Sequence, residues 1–510
     1  MARILPLLTL ALATLVGTPA SAATPPAPVN GCVRSVQDPS PTTTAPVDIC
    51  YTLFRPAGAS PVSKVPVIMH SHGWGGSRIT TIDGTVQRWL DAGYGVLSFD
   101  QRGFGESGGH AYVENPAYEG IDVQKMIGVL AAQDWVQMDG PGDPRLGAIG
   151  GSYGGGYQFV GAFTNLMTKG KPIFDVLAPE ITWFDLTESL SPQGVSRTEW
   201  ASALSAASLQ SDALPPNVYK ALLEAAATGN WPDGSTPGTE NLNAFFEKNG
   251  PKWHVSQGRQ LNIPVLFGQG ATDTLFPLEQ GFQNWAKAIT KSARARSIFI
   301  AYNGGHILPS VFPQSSAPAN ADPCSVKLNN SSFGDLTVKF FNQRLRGMTT
   351  DLTGYGKYHL ATAGGTCTTV SSIAPNQAFS VGTVTTTAAA GAPTAVEIAS
   401  GPIRVAGSPN ITADVTTIGV DNRAFYGLAI GTSPQDAKLV QNNVLPVRQL
   451  GVTTVKGRTI DLPAVAVDVP AGQKLFLYAS PVSDMFAGMA SRTPGTVTLT
   501  NAAVHLPVVN

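Results

Sequence analysis

Residues 146–163, LGAIGGSYGGGYQFVGAF, constrain the fold more than any other stretch of the 510-residue chain. A short apolar run leads into Gly150-x-Ser152-x-Gly154, and the spaced apolar residues that follow are typical of a helix packed on a sheet. Glycine costs backbone entropy in regular structure, so such a cluster indicates a tight turn or a close approach of two segments. Strand, tight turn and helix in this order are the context of a nucleophile elbow, which exposes a serine hydroxyl at the end of a sheet. The motif alone is equally compatible with a glycine-rich turn that carries an incidental serine.

The flanking sequence alternates between apolar strands and amphipathic helices. The runs VPVIMHSHGWGG, YGVLSFD, IPVLFGQGATD and RSIFIAY are continuous apolar strands, and patterns such as IDVQKMIGVLAAQDWV between them indicate helices. Continuous apolar strands are typical of a parallel sheet that is covered by helices on both faces. From about residue 186 to 260 only helix patterns occur, so we predict a helical cap over the edge of the sheet.

The composition changes after about residue 370, where Thr, Ala, Val and Gly dominate and short alternating runs such as ITADVTTIG and QKLFLYASP follow one another. Short strands separated by turn residues predict a β-sandwich, here of the jelly-roll kind. We therefore predict an α/β domain at 24–350 with the cap at 186–260, a linker at 351–375 and a β-sandwich domain at 376–510.

The first 23 residues have the form of a secretory signal peptide. Arg3 precedes an apolar run, and a small-residue Ala-Ser-Ala motif ends near Ala22 or Ala23. We therefore expect export to the extracellular space or the periplasm. No later stretch offers the ~20 unbroken apolar residues of a membrane span. With a net charge of −1 and 13% charged residues, the chain has no basic face for nucleic acid.

The chain contains four cysteines, and export makes two disulfides the expected arrangement. Cys32 with Cys50 and Cys324 with Cys367 are the local pairings that we prefer, although the other two connectivities stay open. No Cys or His cluster has the spacing of metal ligands, so the sequence predicts neither a metal site nor another cofactor.

A serine nucleophile needs a histidine base and an acid, and after a nucleophile elbow these follow in the order Ser, Asp or Glu, His. Of the seven histidines, those at 70, 72 and 110 precede Ser152, and that at 254 falls in the predicted cap. The other candidates are His306, His359 and His505. We favour His306 because it lies in a glycine loop directly after a strand, where sites in parallel sheets collect.

The acid is expected between Ser152 and His306, and Asp273 follows the strand IPVLFGQG directly. The alternative for Asp273 is an aspartate that only forms a turn. The other aspartates of this interval fall in predicted helices, the cap or a Pro-Gly turn. Ser152, Asp273 and His306 each come just after a strand, so we predict that they form a catalytic triad.

An oxyanion hole would complete the site. The backbone N–H of Tyr153, directly after the serine, is one expected donor. The loop HSHGWGGSR supplies the other, with the N–H of Trp74 preferred to that of Gly75. We expect His70 and His72 to hydrogen-bond within this loop. Asp100 and Arg102, in the turn FDQRGFGES, either pair with each other or are solvated turn charges.

These residues lie in segments that resemble α/β-hydrolases of the X-prolyl dipeptidyl-peptidase and cocaine-esterase group (peptidase S15, CocE/NonD-like). FDQRGFGESGG is similar to the group's Asp-x-Arg-Gly-x-Gly-x-Ser-x-Gly turn, and LAAQDWVQMDGPGDPRLGAIGGSYGG to its helix and elbow. IPVLFGQGATD and NGGH match its acid and histidine segments. The resemblance implies the triad Ser152, Asp273 and His306, a helical cap before the acid and a C-terminal jelly-roll domain. Where the group has a tyrosine donor in an Arg-x-Pro-Tyr loop, this chain has HGWGGSR.

Three functions compete. The first is a secreted serine hydrolase that cleaves small or polymeric carboxylic esters, which the esterase-type loop favours. The second is an X-prolyl dipeptidyl aminopeptidase with the same triad, which needs an anionic pocket for the substrate's amino group. Glu180, Asp185 and Glu188 are candidates for that pocket, or simply polar positions at the start of the cap. The third is a binding protein on an inactive hydrolase scaffold.

Overall fold

The computed structural model describes residues 24–39, 46–306, 321–388, 391–441, 443–486 and 494–509. The predicted signal peptide lies outside the described residues. No helix among the described residues is long and apolar enough to cross a membrane.

The N-terminal two thirds of the chain form one large sheet and a small hairpin. In chain order, the strands are β1 (Val29–Arg34), β2 (Asp48–Phe54), β3 (Val67–Ser71), β4 (Gly95–Phe99), β5 (Met138–Gly140), β6 (Asp143–Pro144), β7 (Leu146–Gly151), β8 (Val176–Glu180), β9 (Leu266–Gly270), β10 (Ile298–Tyr302), β11 (Tyr358–Ala361) and β12 (Cys367–Val370). β5 and β6 form the hairpin, and the other ten strands form the sheet in the order β1-β2-β4-β3-β7-β8-β9-β10-β11-β12. From β4 to β11 all neighbours are parallel, so their carboxyl ends share one edge.

Twelve α-helices accompany the sheet in the described residues. They are α1 (Gly84–Asp91), α2 (Glu119–Ala131), α3 (Tyr153–Lys169), α4 (Leu186–Leu190), α5 (Thr198–Leu209), α6 (Pro216–Thr228), α7 (Leu242–Phe246), α8 (Pro251–Ser256), α9 (Leu278–Gln283), α10 (Lys291–Arg294), α11 (Pro323–Asn329) and α12 (Phe333–Arg346). Apolar residues of α1 and α12 pack with strand residues in one buried cluster. Those of α2, α3 and α9 pack in a second cluster. The predicted parallel sheet with helices on both faces is confirmed.

Helices α4 to α8 lie between β8 and β9, where the sequence predicts the cap. Their apolar side chains, among them Leu186, Trp200 and Leu222, share a buried cluster with Phe425 and Phe476 of the C-terminal domain. The cap is therefore held between the α/β domain and the C-terminal domain rather than projecting into solvent.

The C-terminal region consists of antiparallel sheets. Its strands are β13 (Gln377–Thr387), β14 (Thr394–Ser400), β15 (Ile403–Gly407), β16 (Asn410–Gly419), β17 (Asp421–Gly431), β18 (Lys438–Leu439), β19 (Leu445–Leu450), β20 (Thr453–Asp461), β21 (Val465–Val469), β22 (Lys474–Ser480), β23 (Gly495–Leu506) and β24 (Val508–Val509). The sheets β13-β23-β16-β20 and β14-β22-β17-β18, the second with β19 paired to β17, face each other across a shared apolar core. This arrangement confirms the predicted β-sandwich.

The segment 351–375, which the sequence predicts as a linker, contains two strands of the large sheet. β11 pairs in parallel with β10, and β12 pairs antiparallel with β11. Four-residue strands give too short a periodic pattern to be recognised, and their partner β10 is remote in sequence. The boundary of the β-sandwich domain stays a prediction.

Two disulfides tie the α/β domain together. Cys32 and Cys50 are partners across the antiparallel pair β1 and β2, and Cys324 of α11 is bonded to Cys367 of β12. These are the pairings that the sequence analysis preferred.

A buried ion cluster lies in the turn after β4, where Asp100 and Arg102 neither pair with each other nor are solvated. Arg102 does not bond to Asp100; its Nη1 donates to Asp38 at 2.8 Å, and its Nε and Nη2 donate to Asp122 at 2.9 Å. Asp100 instead accepts the backbone N–H of Arg78 at 2.6 Å and pairs with the guanidinium of that residue. The partners of Arg102 and Asp100 come from segments distant in sequence, so the sequence of the turn alone could not predict them.

We expect the substitution Arg102→Met to lower the free energy of unfolding by about 3–5 kcal/mol, because it removes the cation that bonds to two buried carboxylates. The Arg102 side chain is 0% exposed, as is that of Asp38. Denaturant titration at pH 7 measures the effect. Arg34→Met is the matched control: Arg34 and Asp48 are 62% and 44% exposed, and we expect a loss below about 1 kcal/mol. Equal losses in the two variants would contradict the structural role of the cluster.

Candidate active site

Ser152 occupies the turn between β7 and α3. Its backbone has φ 58°, a left-handed conformation that is strained for a residue with a side chain. Its N–H donates to the carbonyl of Glu180 at 2.9 Å, which ties the turn to β8. The neighbouring glycines are required, because a Cβ on Gly150 would lie 2.5 Å from the carbonyl oxygen of Gly154, and one on Gly154 2.4 Å from that of Ser71. The local structure is that of the predicted elbow.

Asp273 and His306 come together at the same edge of the sheet, after β9 and β10. His306 Nδ1 lies 2.8 Å from Asp273 Oδ2, and Asp273 Oδ1 accepts the N–H groups of Leu275 at 2.8 Å and Phe276 at 2.9 Å. The loop before His306 contains Gly305, with φ 110°, where a Cβ would lie 2.8 Å from the Asp273 Cβ. Asp273 is 1% exposed, so its carboxylate is shielded from solvent. The N–H groups of Leu275, Phe276 and the His306 ring orient it.

The other histidines make packing or hydrogen-bond contacts away from Asp273. His70 contacts Ser98 Oγ, His254 stacks on Phe163, His359 contacts Thr369 and Gly354, His505 contacts Thr412, and His110 pairs with Asp38 in the Arg102 cluster. Of the three downstream candidates, only His306 bonds to a carboxylate at the sheet edge that carries Ser152.

The loop after β3 lies directly against the serine. A Cβ on Gly73 would be 3.7 Å from the Cβ of Ser152, and the Trp74 ring packs edge-on against that of Tyr153 with centroids 5.0 Å apart. His72 fixes the loop, since its Nε2 accepts the N–H of Gln101 at 3.0 Å and its Nδ1 donates to the Gly73 carbonyl at 2.8 Å. Burial lowers the pKa of His72 and lowers that of His70 to about 4.

Tyr153 is the first residue of α3, so its N–H is among the helix-start donors that have no acceptor within the helix. The predicted oxyanion donors, the N–H groups of Tyr153 and Trp74, therefore belong to the two segments that adjoin Ser152.

An apolar cavity of about 50 Å³ opens beside Ser152. The cap contributes the aliphatic and aromatic side chains of Leu186, Leu190, Leu204, Leu222 and Phe246. The α/β domain contributes Trp74, Val113, Tyr153, Trp183, Leu275 and Phe276, and Leu214 lies between α5 and α6. Ser152 is the one aliphatic hydroxyl among the described lining residues, none of which is charged.

The three acidic residues that could hold an amino group do not line this cavity. Glu180 accepts the Tyr302 hydroxyl at 3.2 Å, and burial raises its pKa to about 7. Asp185 pairs with Lys252 and caps α4 by accepting the N–H of Glu188. Burial also raises the pKa of Glu188 to about 7.

No group of three or more His, Cys, Asp or Glu side chains suited to a metal ion occurs in the part of the chain that the structure describes.

The sequence did not predict two aromatic neighbours of His306. Phe276 and Trp200 pack edge-on against its imidazole, with centroids at 5.3 and 5.8 Å. Phe276 follows the acid segment, whereas nothing in the cap sequence distinguishes Trp200 from the other aromatic residues there.

Comparisons with known proteins agree with this architecture. The family model of X-Pro dipeptidyl-peptidase (S15 family) matches residues 47–307, just over half of the chain. A CocE/NonD family hydrolase from Staphylococcus aureus is 14% identical, with a TM-score of 0.64 over 94% of this chain and 93% of that one. An α-amino acid ester hydrolase is also 14% identical, with a TM-score of 0.58 over 97% of this chain and 99% of that one.

An aminopeptidase from the archaeon Thaumarchaeota archaeon is 14% identical, with a TM-score of 0.60 over 91% of this chain and 94% of that one. Among curated sequences, an uncharacterized 31.7 kDa protein of Escherichia coli is 32% identical over 106 residues, which is 21% of this chain. The chain spans about a third (35%) of the length of that relative.

Proposed function

Because the chain belongs to the X-Pro dipeptidyl-peptidase (S15) family of hydrolases, we propose that it cleaves carboxylic esters with Ser152 as nucleophile. The observation that carries this proposal is the uncharged, apolar cavity beside Ser152. An apolar acyl group fills such a cavity favourably, since burial of apolar surface contributes about 25 cal/mol per Å².

In the proposed reaction, Ser152 Oγ attacks the ester carbonyl while His306 Nε2 takes the serine proton. Asp273 holds the imidazole through Nδ1 and stabilises the positive charge that develops on it. The N–H groups of Tyr153 and Trp74 stabilise the negative charge on the carbonyl oxygen. His306 then protonates the leaving alcohol, and a water molecule, activated by the same histidine, releases the acid from the acyl-enzyme.

The X-prolyl aminopeptidase is the alternative, and it requires a site for a charged amino group. An ammonium ion buried without a partner carries a large desolvation penalty. The described cavity lining offers no carboxylate, and Glu180, Asp185 and Glu188 have partners or positions elsewhere. The cavity therefore supports ester hydrolysis more than X-prolyl aminopeptidase activity.

We place the enzyme in an oxidising compartment after export. Two disulfides support this location, because such bonds persist in secreted and periplasmic proteins. Cleavage of the signal peptide near Ala22 or Ala23 stays a prediction from the sequence.

A matched pair of substrates tests the ester proposal. We expect p-nitrophenyl propionate to be hydrolysed with a kcat/KM at least about 100-fold above that of L-alanine p-nitrophenyl ester, which adds only an ammonium group to the acyl chain. Ala-Pro-p-nitroanilide, measured beside them, should be a poorer substrate still. Dominant cleavage of the Ala-Pro substrate would establish the aminopeptidase instead. If none of the three is hydrolysed, the reading as a non-catalytic binding protein gains support.

A further inference from the structure

Helix α5 of the cap, Thr198–Leu209, contacts both halves of the proposed catalytic machinery. Near its start, Trp200 bonds to Thr274 in the loop that carries Asp273, and its ring packs against that of His306. One turn later, Leu204 bonds to Trp74 in the loop after β3. Residues four apart on a helix lie on the same face, so one face of α5 spans the site from the histidine to the oxyanion loop.

At the histidine end, the contacts form a chain of hydrogen bonds. Trp200 Nε1 donates to Thr274 Oγ1 at 3.1 Å, and Thr274 Oγ1 in turn lies 3.2 Å from the carbonyl oxygen of His306. The backbone N–H of Thr274 donates to the same carbonyl, also at 3.2 Å. The Trp200 ring meets the imidazole edge to face. Trp200 and Thr274 are 8% and 1% exposed, so water does not substitute readily for these bonds.

At the oxyanion end, the Leu204 carbonyl accepts the indole N–H of Trp74 at 3.0 Å. A Cβ on Gly75 would lie 3.3 Å from the Ala207 Cβ, so the helix and the loop are in close contact. The Trp74 ring also packs on Phe104 at 4.8 Å. The indole thus holds the backbone of residue 74 beside Ser152.

The C-terminal domain contacts the residue that directly precedes α5. The guanidinium of Arg197, directly before α5, lies 5.0 Å from the centre of the Phe486 ring. Arg197 is 1% exposed and Phe486 is 0% exposed. The start of α5 is therefore anchored to the β-sandwich.

From these contacts we infer that α5 is a brace that positions the catalytic machinery, with Trp200 as a positioning residue for His306 and the Leu204 carbonyl as the anchor for Trp74. This role rests on the proposed function, because it assigns the braced groups to catalysis. Trp200 acts through His306, and the Leu204 carbonyl acts through Trp74. Through these contacts, α5 fixes the positions of the His306 imidazole and of the Trp74 N–H before the substrate binds.

Substitutions that remove one hydrogen-bonding group test the histidine end. We expect Trp200→Phe, which keeps an aromatic ring and removes the N–H, to lower kcat on p-nitrophenyl propionate about 3- to 10-fold with KM within about twofold. Thr274→Val should have the same effect, and Thr274→Ser, which keeps the hydroxyl, should restore kcat to within about twofold of wild type. Because the two groups share one hydrogen bond, the Trp200→Phe/Thr274→Val double variant should be no slower than Thr274→Val alone.

Trp231→Phe is the matched control in the cap, because the Trp231 indole N–H is buried and has no hydrogen-bond partner among the described residues. It should leave kcat unchanged. Hydrogen–deuterium exchange provides a readout that does not depend on activity: in Trp200→Phe, peptides covering 298–306 should exchange faster than in wild type, whereas in Trp231→Phe they should not.

The brace is overturned if Trp200→Phe and Thr274→Val leave both kcat and the exchange of 298–306 at wild-type values. Additive losses in the double variant would also contradict it, since two independent contacts would then be involved. If wild-type protein hydrolyses none of the substrates while the exchange difference persists, the brace stands as a structural feature and the proposed function fails.

Discussion

Replacing Ser152 by alanine should reduce ester turnover by a factor on the order of 10⁴ to 10⁶, while the protein stays folded. The substitution removes only the Oγ atom. The Cβ and the left-handed backbone at φ 58° stay, as does the bond from the N–H of residue 152 to the Glu180 carbonyl. We therefore expect the free energy of unfolding to change by less than about 0.5 kcal/mol. Initial rates on p-nitrophenyl propionate and a denaturant titration measure the two quantities.

Ser256→Ala is the control for this experiment, because Ser256 is exposed on α8, where its hydroxyl donates to the carbonyl of Trp253 and accepts from Gln257 Nε2. It should keep wild-type activity. A fluorophosphonate, which reacts covalently with activated serines, should label wild type on the peptide that contains Ser152 and leave Ser152→Ala unlabelled. Activity of Ser152→Ala within tenfold of wild type, or labelling on another residue, would remove Ser152 as the nucleophile.

The positions of Ser152, Asp273 and His306 could be predicted because each depends on local signals. A glycine cluster specifies the elbow, and both other residues come within four residues of the end of an apolar strand. Parallel strands bring their carboxyl ends to one edge, so three positions far apart in sequence lie along that edge without any long-range information beyond the fold class. The helical cap and the β-sandwich were predictable for a similar reason, since each depends on a repeated local period.

Pairings between distant segments could not be predicted. Arg102 bonds to Asp38 and Asp122 rather than to Asp100, two residues away. Strand β11 joins β10 in the large sheet although its sequence, YHLA, is too short to show a period. The contacts of Trp200 with Thr274 and His306 likewise depend on how the cap sits on the sheet. Side-chain partners that are brought together by tertiary packing have no characteristic spacing in the sequence, so they cannot be recognised there.

The second large effect is expected for Asp273→Asn, which should lower kcat by about 10⁴-fold with little change in KM. Two backbone N–H groups, from Leu275 and Phe276, donate to Asp273 Oδ1. An asparagine must keep its carbonyl oxygen at that position, because an NH₂ group there would face two donors. Its NH₂ group then occupies the place of Oδ2, 2.8 Å from His306 Nδ1.

With a donor facing it, His306 Nδ1 must act as an acceptor, so the ring proton moves to Nε2. An imidazole protonated at Nε2 cannot take the proton of the Ser152 hydroxyl, although the geometry of the site is unchanged. The same substitution at Asp233, in an exposed turn of the cap, is the control and should leave kcat unaltered. Steady-state kinetics on p-nitrophenyl propionate separate kcat from KM. A variant Asp273→Asn that lost less than about tenfold in kcat would show that this carboxylate does not set the tautomer of the catalytic base, and another acid would have to be sought at the same edge of the sheet.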